Sequence, residues 1–119
     1  METDRTRDQS FPISSRDGVP VVTAPAEIDF SNAPAFESAL AFAGTAGATI
    51  IVDMRPNVLC DSSGLSALIQ AHKRAHIAEG ELRLVMHPAH VAKVFKATGV
   101  DQFIKIFSTL SEAVTPVQH

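Results

Sequence analysis

Residues 48–53, Ala-Thr-Ile-Ile-Val-Asp, form a short, almost unbroken apolar run ending on an acid. A strand with one wet face alternates apolar and polar residues; an unbroken run of this length reads as a buried central strand. Such strands belong to parallel sheets flanked by helices, and the patterns on either side supply both.

Upstream, residues 11–15 and 19–23 read as two short strands joined by Arg16-Asp17-Gly18, since Asp-Gly suits a tight hairpin turn. Pro20 and Pro25 remove ladder donors, so the second strand is expected to be an edge strand or frayed. Residues 29–32 offer helix-capping side chains, Pro34 suits a helix start, and Phe36, Ala39, Leu40 and Ala43 recur at helical spacing before Gly44 and Gly47. Downstream, a long helix is expected from Asp61 or Ser62 to about Glu79, stopped by Gly80. Then come a strand at 82–86, a break at His87-Pro88, a helix at 89–98, Gly99, a strand at 103–107, and a final helix capped by Ser108 or Thr109 and running to Val114. The order is β-β-α-β-α-β-α-β-α. Strands alternating with helices require crossovers, so the sheet is expected to be largely parallel, with the first hairpin adding an antiparallel pair at one end. Residues 1–10 are expected to form a flexible tail and residues 11–117 one domain.

The bulk numbers narrow the function classes. The chain has 119 residues, 45% apolar and 19% charged, which suits one globular domain. Its net charge of −3 gives no basic footprint for nucleic acid. No apolar run reaches the ~18 residues of a membrane span, and the N-terminus lacks the apolar region of a secretory signal. With a single cysteine, Cys60, no internal disulfide is possible. A cytoplasmic location is expected.

The segment most able to carry function is Cys60-Asp61-Ser62-Ser63-Gly64-Leu65. It sets two hydroxyls beside an acid where a long helix begins. Helix N-termini carry unpaired N–H groups and partial positive charge, so they tolerate phosphate. Gly64 would let a partner's backbone or a nucleotide come close. Ordinary N-capping explains the same residues, and on local sequence alone it is the commoner reading.

Asp61-Ser62-Ser63-Gly64-Leu65 resembles the signature of the STAS family, and in particular of the bacterial anti-sigma factor antagonists. Other segments are similar to that family in the same order. They are Glu27-Ile28-Asp29 before a helix, the central strand at 49–53, the strand at 80–85, and the C-terminal stretch at 98–113. Ala26 stands where the family has Gly, and Cys60 where an aliphatic residue is common. The resemblance implies a single α/β domain of the STAS type, with a mixed four- to five-stranded sheet and about four helices, and a non-enzymatic role in partner switching. It implies phosphorylation of Ser62, with Ser63 as second choice, by an anti-sigma factor that is a GHKL-type serine kinase using ATP. The unmodified form would bind that kinase and so regulate sigma-factor-dependent transcription; a phosphatase would reverse the mark. Asp29, Asp61, Ser62, Ser63 and Gly64 are the expected partner-binding residues. For Asp29, a cap on the following helix and an interface acid are both open. The free domain is expected to be a monomer. Alternatives are a STAS scaffold or sensor subunit in a larger signalling complex, and a small hydrolase with Ser62 as nucleophile.

Other residues point elsewhere only weakly. The chain lacks Gly-x-Ser-x-Gly and any Gly-rich phosphate loop, so neither hydrolysis nor ATP binding is expected of it. His72 and His76 lie four apart, but no third metal ligand is evident; they are expected as half-buried rings on the packing seam, with no metal and no cofactor. His87 and His90 are expected to face solvent. Cys60 reads better as a small buried residue than as a redox sensor. Lys73, Arg74 and Arg83 are expected on a solvated basic face.

Overall fold

The computed structural model describes residues 11–95, 98–102 and 104–115. The expected N-terminal tail, Phe103 at the start of the last strand, and residues 116–117 of the expected domain lie outside that range. Strands β1 (Ile13–Arg16) and β2 (Val19–Thr23) form the expected hairpin. Its turn places Asp17 and Gly18 at φ 53° and 82°, as a type I′ turn requires. After β3 (Glu27–Ile28) come α1 (Ala33–Ala43), β4 (Ile50–Asp53), β5 (Leu59–Cys60), α2 (Ser62–Ile77), β6 (Leu82–Val85), α3 (Pro88–Val94), β7 (Lys105–Phe107) and α4 (Leu110–Val114).

The main sheet has the order β1-β2-β4-β6-β7, antiparallel only at β1 and β2. The apolar run is the central strand: all four residues of β4 are buried. Alternate residues face alternate layers. Ile50 and Val52 pack under the α1–α3 layer with Phe36, Leu40, Leu68 and Phe95, while Ile51 joins Val21, Val85 and Ala113 beneath α4. Covering both faces is what an unbroken apolar strand demands.

Three expectations are corrected. β2 is interior rather than an edge. Its hydrogen bond from Thr23 N to Pro12 O, 2.9 Å, sets the alternation of the antiparallel ladder, which places Pro20 and Ser15 in a pair that exchanges no bonds. Pairing with β4 begins only at Val21, so the missing N–H of Pro20 is needed on neither side. Helix α2 ends at Ile77 rather than near Glu79, and Glu79, at φ 65°, takes the left-handed position. Gly80 is needed for another reason: a Cβ there would lie 2.3 Å from the Ala48 carbonyl. Arg83 is not part of a solvated face. It is 5% exposed, with Nη1 donating to Ala113 O (2.6 Å) and Thr115 O (2.8 Å) and Nη2 paired with Glu81 (2.8 Å). It ties α4 to the sheet. Lys73 and Arg74 are exposed, as expected.

Candidate functional site

Helix α2 starts where the sequence places it. Asp61 is the N-cap, its Oδ1 accepting from Ser63 N (2.8 Å) and Gly64 N (3.2 Å). A carboxylate at this position satisfies two donors that the first helical turn leaves unpaired. Ser62, the first residue of α2, is exposed; Ser63 is half-buried. The phospho-acceptor candidate therefore has its hydroxyl on the surface, while the nearest helix-start donors are already held by Asp61.

Gly64 has a different role from the expected one. It is buried, and a Cβ there would lie 2.6 Å from Cys60 Sγ and 2.7 Å from Ile28 Cγ2. The bare position faces inward and lets α2 settle on the ladder beneath it. Cys60 fills part of that contact. Burial first, and the Asp61 charge second, push its thiol up to about 11. A thiol so poorly ionised near neutral pH is a packing residue, not a reactive one.

The ladder in question, β3 paired with β5, was not legible in the sequence. Glu27 pairs with Leu59 and Ile28 with Cys60, in parallel. The bonds continue at both ends: Val58 N and Leu59 N donate to Ala26 O (2.7 and 3.1 Å), and Asp61 N donates to Ile28 O (3.1 Å). Asp29 and Asp61 thus stand one residue beyond the same pair on neighbouring strands, which are roughly 5 Å apart by ordinary strand spacing. Two-residue strands carry too little periodicity to be recognised. They nevertheless join two acids 32 positions apart into one surface with Ser62.

The Asp29 loop is held by its own side chains. Asn32 Oδ1 accepts from Asp29 N (2.9 Å), Asn32 Nδ2 donates to Glu27 O (2.8 Å), and Asp29 Oδ1 accepts from Ser31 N (2.9 Å) and the Ser31 hydroxyl. The Asp29 carboxylate caps this turn and not α1, which starts at Asn32 without a side-chain cap and with Pro34 in its first turn. The Ser31 hydroxyl and then the Ser31 amide hold Asp29 below the usual carboxylate range. Among the described residues neither Asp29 nor Asp61 forms an ion pair. Three large apolar side chains stand in or beside the two loops and face water: Phe30, 79% exposed, Val58, 62%, and Leu59, 59%. Exposed apolar side chains grouped on one surface are the kind of patch that an interface covers. Phe30 and Leu59 were missed because hydropathy alone assigns such residues to the core.

The histidines divide. His72 is half-buried, as expected, and its ring stacks on that of His76, centroids 6.3 Å apart, but His76 is exposed rather than half-buried. His72 lies ten residues along α2 from Ser62, about 15 Å at the helical rise, too far to activate its hydroxyl. His87 is exposed and caps Ala89 N through Nδ1 (3.1 Å). His90 departs from expectation: it is half-buried and its Nε2 lies 3.2 Å from Asn57 Oδ1. Among the described residues no three His, Cys, Asp or Glu side chains cluster as metal ligands.

The STAS domain family model matches residues 10–113. The chain belongs to the STAS family. Among solved structures, it is similar to an anti-sigma factor antagonist from Mycobacterium paratuberculosis, with 25% identity, 87% of this chain and 89% of that one covered, and a TM-score of 0.77. The Bacillus protein SpoIIAA matches in fold in both its unphosphorylated form (TM-score 0.72, 21% identity, 88% and 93% covered) and its phosphorylated form (0.66, 20%, 88% and 96%). A murine solute carrier 26 family anion transporter contains a similar domain, at 23% identity and a TM-score of 0.67, covering 85% of this chain and 18% of the transporter. A search of curated protein sequences found no match. No helix among the described residues of this STAS domain is long and apolar enough to cross a membrane.

Proposed function

We propose that this STAS domain is a cytoplasmic, non-enzymatic anti-sigma factor antagonist whose unphosphorylated form binds a GHKL-type anti-sigma kinase. Phosphorylation of Ser62 releases the kinase, and a phosphatase restores binding. The observation that carries the reading is the exposed Ser62 hydroxyl at the first position of α2, flanked by Asp61 and by the Asp29 loop on the adjoining strand. Similarity to a mycobacterial anti-sigma factor antagonist supports the choice of partner.

The switch follows from charge. A phosphoserine adds about −1.5 to −2 charges at neutral pH. It would arrive beside two carboxylates that already make the surface acidic. A partner that meets these acids also has to accommodate the new dianion. Where the docked partner sets an acid of its own against the phosphate, one like-charge contact at ~5 Å and an effective dielectric near 20 costs about 3 kcal/mol before salt screening. That corresponds to roughly a hundredfold loss of affinity. The apolar side chains of Phe30 and Leu59 would supply the desolvated centre of the interface, where most binding energy concentrates.

Incubation with the cognate kinase and ATP, followed by mass spectrometry, tests the acceptor: phosphate on Ser62, absent in Ser62→Ala, is expected. A pull-down tests the switch: wild type should retain the kinase and Ser62→Asp should not. Equal retention of both would reject the mechanism.

A further inference from the structure

Asn57, in the turn between β4 and β5, is only 4% exposed. Its Nδ2 donates to Pro25 O (2.9 Å) and Leu59 O (2.9 Å), with a longer contact to Ala26 O (3.3 Å). An amide nitrogen facing three carbonyls cannot trade places with its oxygen, so the orientation of this side chain is determined by its neighbours. Oδ1 therefore points at His90 Nε2, 3.2 Å away on α3. Since Oδ1 can only accept, Nε2 carries the hydrogen, and neutral His90 is the Nε2–H tautomer.

We infer that His90 is a positioning residue for the phospho-acceptor segment, acting through Asn57. Asn57 clamps the linker between β2 and β3 to β5, and β5 runs directly into Asp61 and Ser62. The β3–β5 ladder has two residue pairs, too few to persist without outside support. Asn57 supplies that support from below, and His90 supplies the last hydrogen bond that a buried amide needs. Helix α3 is thereby joined to the Ser62 segment through Asn57. His90 lines a pocket of about 300 Å³ with Arg55, His87 and Lys93. Arg55 there is engaged by Asp53 (2.8 Å). Protonation of His90 in acid would add a hydrogen at Nδ1 and leave Nε2–H in place, so the clamp holds in both charge states.

The inference rests on Ser62 being the acceptor, and its test separates the two claims. In the full chain, His90→Phe keeps the ring and removes the donor; His90→Gln restores an N–H. Amide hydrogen exchange at Leu59 and Asp61 is expected to quicken about tenfold in His90→Phe, with Val52 and Leu84 unchanged, and to return toward wild type in His90→Gln. Nitrogen chemical shifts should report the Nε2–H tautomer. With the cognate kinase, kcat for Ser62 should fall severalfold in His90→Phe and recover in His90→Gln. Wild-type exchange rates in His90→Phe, equal acceleration at Val52 and Leu84, no recovery in His90→Gln, an Nδ1–H tautomer, or an unaltered kcat would each overturn it. A kinase that leaves wild type unmodified counts against Ser62 as acceptor, and the exchange rates then decide the clamp alone.

Discussion

Gly64 shows how one missing atom determines the placement of the site. Its Cα sits against Cys60 and Ile28, and a methyl group would have to displace Cys60 Sγ from 2.6 Å and Ile28 Cγ2 from 2.7 Å. Gly64→Ala is therefore expected to destabilise the fold by about 1–3 kcal/mol, the usual cost of overpacking, measured by urea denaturation. Because Cys60 shares the contact, the double variant with Cys60→Ala should lose less than the two single changes summed; strict additivity would show the contact to be relieved elsewhere. Cys60 carries a second expectation. With its thiol pushed up to about 11 by burial and Asp61, alkylation by iodoacetamide should rise with pH toward that value rather than toward ~8.5. A reaction half-maximal near pH 8 would contradict its packing role. The sequence already marked Asp61, Ser62 and Gly64 as a helix start. It did not reveal that Gly64 faces inward, because which side of a helix meets a strand 36 residues earlier is not a local property.

At the scale of elements, α2 links the site to the core. Gly64, Ala67, Leu68, Ala71 and Ala75 form its buried stripe, and burying Leu68 alone stabilises the fold by about 2 kcal/mol. His72 lies at the margin of this stripe, where burial first and His76 second lower its affinity for a proton. His90 on α3 is shifted the same way, by burial and then Lys93. A histidine with a depressed folded pKa favours the neutral form in the fold. Its contribution is complete above the unfolded value near 6.5 and declines as pH falls through the folded one. Stability should accordingly fall between about pH 7 and pH 5, and His72→Leu should fall less steeply over that window. Parallel pH profiles for the two proteins would remove His72 as a cause. The periodicity of α2 was legible from its apolar spacing. The β3–β5 ladder was not, since strands of two residues are defined by their partner rather than by their own pattern.

Across the whole molecule, the proposed switch surface and the stabilising core are separate. Ser62 is exposed above a helix whose opposite side is buried. Ser62→Asp should therefore unfold in urea within about 0.5 kcal/mol of wild type, even while it loses its partner; a drop of several kcal/mol would mean that added charge acts on the fold. The sequence by itself determined the class of the protein. An unbroken apolar strand, alternating helices, an Asp-Gly hairpin and a capped long helix are local patterns, written in nearest neighbours and helical or strand periods. Tertiary structure alone decided which residues form the candidate site. Asp29 meets Asp61 through a two-residue ladder, Gly64 and Arg83 face inward, Phe30 and Leu59 face water, and Asn57 joins His90 to β5. Each of these depends on contacts between segments far apart in the chain, and no local pattern encodes where a distant segment will lie.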